Sequence, residues 1–143
     1  MTAEQTRETM QAYAKALLAF GDYGRYLADD VTMTFMGTDR AIAGRDAVMG
    51  AIAFMHVQAF SSAVELKGMV WGHGEAALEA EFIGTHIGEF EGVAPTLRPV
   101  RVPYSVAYTL ANGRITALRL YFPFELLMRQ ITTLAPELAA QTR

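Results

Sequence analysis

The chain has 143 residues, no cysteine and a formal net charge of −3. This length is typical of one domain with a sizeable core, and the lack of cysteine excludes disulfides, thiolate metal ligands and a cysteine nucleophile. Basic residues are scattered, no apolar run reaches membrane-spanning length, and the N-terminal residues do not form a basic and apolar leader. We therefore expect a cytoplasmic protein with no nucleic-acid partner and no membrane partner.

The first half of the chain has the apolar spacing of helices. Thr2, with a glutamine three residues later, forms a capping-box pattern at the start of the first helix, which Gly21 ends. A short second helix over 22–27 and a strand over 31–36 follow. A third helix begins at Gly44, because apolar residues again recur at helical intervals after it.

The period of apolar residues becomes two from residue 63 onward, as in strands. A turn at 72–74 separates the first of these strands from a long strand over 75–90. The face that carries the apolar residues changes at Gly84, which predicts a bulge or a sharp bend there.

The last third of the chain is predicted to be a hairpin and a helix. Strands over 99–110 and 114–122 flank Asn112-Gly113, which is a strong signal for a two-residue turn. A closing helix over 124–134 and a loose tail over 136–143 complete a single domain that spans residues 1–143.

Helices followed by strands are the element order of an α+β fold. We predict a cone-like α+β barrel, in which a strongly bent antiparallel or mixed sheet wraps around the N-terminal helices. Such a sheet leaves a hollow between the two layers, and the abundance of apolar residues, 52% of the chain, favours an apolar pocket there.

The register of the hairpin decides which polar side chains share a face. With a two-residue turn at Asn112-Gly113, Tyr121 pairs with Tyr104, and Arg119 lies on the same face of the sheet. A three-residue turn shifts the register by one and removes the tyrosines of the preceding strand from that face. We favour the first arrangement.

Residues 84–96 read GTHIGEFEGVAPT. This stretch resembles the strand-and-loop signature of the SnoaL-like polyketide cyclases, a branch of the nuclear transport factor 2-like superfamily that includes ketosteroid isomerases. Shorter pieces at 26–31, 44–48 and 112–115 agree in order and spacing, so the resemblance covers nearly the whole chain. It implies the same cone-shaped fold, with the face that carries Arg119 lining the cavity.

The resemblance also exposes a missing group. Members of the family carry an aspartate after the last strand, in a phrase R-x-Y-F-D, where residues 119–123 of this chain read RLYFP. Pro123 has no titratable group, and the limonene epoxide hydrolases of the superfamily also place an aspartate there. The base of the ketosteroid isomerases falls at Phe35 of this chain, and their oxyanion tyrosine falls near Tyr13.

Three residues are candidates for the acid or base that replaces this aspartate. His86, in the family-like phrase, titrates near neutral pH, and Asp39 follows the first strand. Glu81 shares a face with Glu79, and burial of such a pair would raise one pKa. His86 and Glu81 also have structural alternatives. His86 would fix the loop by hydrogen bonds, and Glu81 would form a solvated or dimer-facing charge pair with Glu79.

A second set of residues is predicted to line the ligand site. Arg119 would offer a donor fork to a carbonyl, enolate or carboxylate, unless it pairs with a nearby glutamate. His56 lies on the apolar stripe of the third helix, where a lone histidine is usually a core residue. The predicted ligand-binding residues are Arg119, Tyr121, Tyr104, Tyr13, Phe35, His56 and Trp71. No pair of histidines has metal-ligand spacing, so we expect neither a metal nor a cofactor.

These observations support three functions. The first is a cyclase- or isomerase-type enzyme that transfers a proton next to a carbonyl, and it leads only because most relatives with a cavity are enzymes. The second is a module that binds a hydrophobic small molecule without turnover. The third is a dimerisation domain, although a homodimer through the open sheet face is expected in all three cases.

Overall fold

The computed structural model describes residues 1–132, which form three helices and a six-stranded sheet. The helices are α1 (Ala3–Leu18), α2 (Arg45–Ala53) and α3 (Phe124–Thr132). The strands are β1 (Leu27–Phe35), β2 (Ala41–Ala43), β3 (Phe60–Trp71), β4 (Glu75–His86), β5 (Pro99–Ala111) and β6 (Arg114–Tyr121). A 3-10 turn, Tyr23–Tyr26, precedes β1, and a π-helical turn, Phe54–Gln58, extends α2. The predicted end of the closing helix and the predicted tail at 136–143 lie outside the described residues.

The sheet has the strand order β2-β1-β6-β5-β4-β3. It is mixed, because β1 runs parallel to β6 while every other neighbouring pair is antiparallel. The predicted α+β class is therefore confirmed, with the mixed form of the sheet. Within residues 1–132, no helix combines the length and the apolar character needed to cross a membrane.

Two apolar clusters fill the concave side of the sheet. The larger joins α1 and α2 to the sheet through side chains such as Met10, Val48 and Leu118, all less than 4% exposed. The smaller joins α3 to β3, β4 and β5, and its centre includes Leu127. Tyr104 packs against both clusters. The hollow of the cone lies between them, since its wall includes Met33 and Ile52 of the larger cluster and Phe82 of the smaller one.

The predicted change of face at Gly84 is wrong. The ladder between β4 and β5 runs through Gly84 without a shift, and Phe82 and His86 on either side of it are both buried. The irregularity lies in β3 instead, between Leu66 and Gly68. Gly84 serves a close approach of strands, since a Cβ there would lie 2.3 Å from the carbonyl oxygen of Ser61.

The hairpin between β5 and β6 begins as predicted. Ala111 lies opposite Arg114, and Asn112 and Gly113 both have positive φ, +53° and +77°. That combination is typical of the type I′ turn that a two-residue hairpin prefers.

Beyond that turn the predicted register is wrong. A β-bulge opposite Thr109 and Leu110 inserts one extra residue in β6. Tyr121 therefore lies opposite Ser105 rather than Tyr104. Thr116 in the bulge donates its hydroxyl to the carbonyl oxygen of Thr109 at 3.1 Å, which stabilises the insertion. Because side chains alternate between faces, the shift by one residue moves part of the predicted site to the other side of the sheet.

Candidate functional site

An inner cavity of about 60 Å³ lies in the hollow of the cone, between the two apolar clusters. Its wall combines side chains of α2, the π-helical turn, α3 and the concave face of the sheet. His56 and Tyr104 are the polar residues of this wall, and the remaining lining residues are apolar. The chemistry available inside the cone therefore depends on one imidazole and one phenol.

His56 contacts two aromatic rings and one hydroxyl group. Its Nδ1 lies 2.8 Å from the hydroxyl of Ser62, which is also 3.4 Å from the carbonyl oxygen of Met55. The direction of the bond between Nδ1 and Ser62 depends on the tautomer of the ring: with the proton on Nε2, this nitrogen can donate to a ligand oxygen, and with the proton on Nδ1, Nε2 carries the lone pair. The ring centroid lies 5.5 Å from that of Phe20 and 5.3 Å from that of Phe82.

Burial keeps both polar groups of the inner cavity uncharged at neutral pH. It lowers the pKa of His56 to about 4, although a hydrogen bond to the Ser62 backbone opposes the change. It raises the pKa of the Tyr104 phenol to about 12. A neutral imidazole has one N–H that can donate and one nitrogen that can accept, and a neutral phenol can donate a hydrogen bond.

An outer chamber of about 420 Å³ adjoins this cavity. The chamber shares Phe35, Ala51, Met55 and Phe124 with the inner cavity, and Phe54 and Phe90 extend its apolar wall. At its rim, Arg40 Nη1 and Glu91 Oε1 form an ion pair of 2.7 Å between two loops. Arg40 lies between β1 and β2, and Glu91 lies between β4 and β5, so the pair joins opposite sides of the rim.

His86 lies away from both chambers. It is fully buried, and its Nδ1 accepts a hydrogen bond from the Thr96 backbone N–H at 3.2 Å. Its backbone also pairs with Arg98 and Leu97, at 3.0 and 2.9 Å. These bonds tie the long loop between β4 and β5 to the end of β4, as the loop-fixing alternative requires. Among the described residues, Nε2 has no hydrogen-bond partner.

The two predicted carboxylates also lie outside the inner cavity. Asp39 is exposed at the rim of the outer chamber. Glu81 lies on the convex face of the sheet, where Lys67 and Arg101 are 3.2 and 3.0 Å from its carboxylate. Glu81 is thus a member of a surface charge network, and the geometry corresponds to the charge-pair alternative rather than to a buried acid.

The bulge distributes the predicted ligand-binding residues over both faces of the sheet. Arg119 and Tyr121 lie on the convex face with Ala107 and Ser105, so the prediction that they share a face with Tyr104 is wrong. Arg119 donates to the Thr109 hydroxyl at 3.0 Å and lines a shallow depression with Val70 and Ala107. Trp71, at the end of β3, borders the same depression but pairs with Ala76, whose side chain is on the concave side.

The other predicted ligand-binding residues lie on the concave side. Phe35, His56 and Tyr104 line the inner cavity. Tyr13 is 1% exposed and lies in the larger core cluster, where its ring meets that of Tyr108 edge-on at 6.0 Å. Burial raises the pKa of Tyr13 far above its usual range.

Pro123 occupies the position of the family's aspartate, and Phe122 precedes it. Phe122 lines the inner cavity, and Pro123 is exposed and borders a groove on the convex face. The carbonyl oxygen of Pro123 accepts hydrogen bonds from Leu126 and Leu127 at 3.0 and 3.2 Å, so this residue starts α3. Proline is tolerated just before a helix because its missing N–H removes no hydrogen bond of the helix.

Ser62, Phe124 and the Arg40–Glu91 pair were not predicted as site residues. Ser62 has no sequence signal beyond its strand, because its partner His56 lies on another element. Phe124 follows Pro123, and this sequence predicts the start of a helix but not that the phenylalanine ring lines a cavity. Arg40 and Glu91 are 51 positions apart, so only the folded arrangement of two loops brings them together.

Together, the fold and its two-chambered hollow define a cone-shaped α+β domain of the nuclear transport factor 2-like class. The sequence pattern of the SnoaL-like polyketide cyclases matches residues 7–131, so the chain belongs to the SnoaL-like polyketide cyclase family. No protein of curated function matches the chain.

Solved structures agree on the fold. A SnoaL-like protein from Jannaschia sp. CCS1, whose proposed activity is polyketide cyclisation, is 20% identical with a TM-score of 0.82, over 93% of this chain and 95% of that one. TsrD from Streptomyces laurentii is 18% identical with a TM-score of 0.74, over 90% and 98%. AclR from Streptomyces galilaeus, whose proposed activity is hydroxylation, has the same identity and TM-score over 94% and 99%. Identities this low show a shared scaffold and leave the activity open.

The described residues also lack the pattern of a metal site. Residues 1–132 contain no group of three histidine, aspartate or glutamate side chains placed to hold a metal ion.

Proposed function

We propose that the cone binds an uncharged, mainly apolar small molecule and directs one of its oxygen atoms to His56 and Tyr104. The observation that carries this proposal is that the inner cavity has apolar walls and two neutral polar groups. A charged ligand group would lose its hydration there without gaining a countercharge, which is strongly unfavourable. A carbonyl or hydroxyl oxygen would instead gain a directed hydrogen bond.

Binding of methyl naphthyl ketone, an uncharged aromatic ketone, tests this proposal. We expect saturable binding by calorimetry, which Tyr104→Phe and His56→Phe each weaken, because each removes one hydrogen-bond donor to the ketone oxygen. Tyr104→Phe also keeps the size of the ring. A net hydrogen bond contributes about 1 kcal/mol, so each variant should raise Kd roughly fivefold.

Glu81→Gln is the matched control, because Glu81 lies on the convex face and should not affect the Kd. Equal affinity of all four proteins would contradict the proposal, since the ketone would then bind away from the inner cavity.

A second function, proton transfer next to a carbonyl, is favoured by the way His56 is oriented. The Ser62 hydroxyl holds Nδ1, and in the tautomer that donates from Nδ1 the lone pair that would act as the base is on Nε2. A base whose second nitrogen is fixed by a hydrogen bond is the usual arrangement of a general base. However, a base whose pKa is about 4 is weak at neutral pH, so binding is the function that the geometry supports best.

Hydrogen–deuterium exchange measures this second function directly. The methyl protons of methyl naphthyl ketone exchange in heavy water when a base removes a proton next to the carbonyl. We expect the protein to accelerate this exchange, and His56→Phe to abolish the acceleration while Glu81→Gln leaves it unchanged. A rate equal to that in buffer alone would reject proton transfer and would leave the binding proposal standing.

A further inference from the structure

The two chambers of the cone meet at a neck. The inner cavity and the outer chamber share four lining residues, Phe35, Ala51, Met55 and Phe124. A side chain that borders both spaces lies at the boundary between them, so these four side chains form the neck and limit how far a ligand in the outer chamber can reach towards His56.

Phe124 is the side chain of the neck with aromatic contacts on both sides. Its ring centroid lies 5.3 Å from that of Phe35 across the neck and 4.9 Å from that of Phe122, in the inner cavity. On the outer side, its ring is nearly parallel to that of Phe90 at 6.4 Å. The Phe124 backbone N–H donates to the carbonyl oxygen of Phe122 at 2.9 Å, which fixes the start of α3 and hence the ring.

The volumes of the chambers limit what can pass this neck. The inner cavity has a volume of about 60 Å³, one seventh of that of the outer chamber. Of these two chambers, only the outer one, at about 420 Å³, exceeds the roughly 300 Å³ near which sites for drug-sized ligands usually start. A ligand that touches His56 therefore has most of its volume outside the neck.

We propose that Phe124 is the specificity-determining residue of the site, and that it restricts the ligand to tapered molecules. Such a molecule has a carbonyl or hydroxyl oxygen at a narrow end, which passes the neck, and a broader apolar body. The body lies in the outer chamber against Phe54 and Phe90. This inference rests on the proposed binding function, because it presumes that the oxygen reaches His56 and Tyr104.

Two ketones of similar size, one with a narrow and one with a broad carbonyl end, test whether the neck selects the ligand. In methyl naphthyl ketone, the carbonyl carries a methyl group on one side. In fluorenone, aromatic rings flank the carbonyl on both sides. In the wild-type protein, we expect His56→Phe to weaken binding of methyl naphthyl ketone roughly fivefold and to leave the Kd of fluorenone unchanged.

Removal of the Phe124 ring should change this pattern for fluorenone alone. In the Phe124→Ala background the widened neck admits its carbonyl, so addition of His56→Phe should now weaken fluorenone binding roughly fivefold, as a double-mutant cycle measures. Phe54→Ala is the matched control, because Phe54 lines the outer chamber and not the inner cavity. In that background the Kd of fluorenone should remain insensitive to His56→Phe. Phe124→Leu, which keeps an apolar side chain, should give the same direction with a smaller change.

The outcomes separate the two proposals. If fluorenone binding already depends on His56 in the wild type, or if Phe54→Ala and Phe124→Ala act alike, the role of Phe124 is rejected while the binding function stands. If binding of methyl naphthyl ketone does not depend on His56 in the wild type, the proposed function fails, and this inference fails with it.

Discussion

Between pH 6.5 and pH 4 the protein is expected to lose up to about 3 kcal/mol of its free energy of unfolding through His56 alone. Burial lowers the pKa of His56 from 6.5 to about 4 in the folded protein, and one unit of pKa corresponds to about 1.4 kcal/mol. In this range the unfolded chain binds a proton that the folded chain does not bind. The contribution of His56 is therefore fully present above pH 6.5 and is lost as the pH falls towards 4.

The comparison of wild type with His56→Phe isolates this effect from the carboxylates, which also titrate in acid. Urea unfolding at several pH values between 4 and 7 should show a difference in unfolding free energy that changes by up to about 3 kcal/mol across the range. The rings of Phe20 and Phe82 contribute to the burial that lowers the pKa, while Ser62 opposes the change, and none of these side chains is charged. Parallel curves for the two proteins would show that the imidazole titrates as it does in water, and would contradict the buried, neutral state.

The pattern of apolar residues and the family resemblance were sufficient to predict the fold. Periods of 3.6 and 2 residues mark the helices and strands because one face of each is buried. The capping box at Thr2 and the two-residue turn at Asn112-Gly113 are both present, since each depends on a few neighbouring residues only. Local sequence patterns of this kind predict the folded structure correctly when tertiary contacts do not favour another conformation.

The candidate site was predicted less well, because it depends on register and on loops. A single inserted residue near Thr116 moves Arg119 and Tyr121 to the convex face, and no periodic pattern records a bulge in advance. Ser62 and His56 lie six positions apart on different elements, so their hydrogen bond follows from the turn between α2 and β3. His56 itself was included only as one of seven ligand-binding residues, and its role remains a prediction.

The family-like phrase has a structural role in supporting the His56 segment. Gly84 lies opposite Ser62 in the ladder between β3 and β4, and Ser62 is the residue that orients His56. Gly88 packs on the end of the π-helical turn that carries His56, since a Cβ there would lie 2.2 Å from the carbonyl oxygen of Gln58. The Gly88 N–H also donates to the carbonyl oxygen of Ala59 at 2.9 Å. Both glycines thus let β4 and its following loop approach the backbone that places His56 in the cavity wall.

Gly84→Ala is therefore expected to destabilise the protein by roughly 3 kcal/mol, at the upper end of the usual cost of overpacking. The added Cβ would lie 2.3 Å from the Ser61 carbonyl oxygen and 2.5 Å from the Ser62 Cβ. β3 is the edge strand of the sheet, and its ladder with β4 continues on both sides of Gly84, so relief of the clash requires these two strands to separate locally. Urea unfolding at neutral pH measures the loss, and a shift of the His56 ring signals in the folded fraction would report the displaced Ser62.

Gly50→Ala is the control for the same chemical change in open space. Gly50 lies in α2, and nothing comes within 4 Å of a Cβ placed there. Alanine forms helix better than glycine by about 1 kcal/mol, so this variant should be as stable as wild type or more stable. If Gly84→Ala and Gly50→Ala have similar stabilities, the close approach of β3 and β4 is not rigid. In that case the family-like phrase does not act by supporting the His56 segment, and a chemical role for His86 within the same phrase becomes the hypothesis to test by mutation.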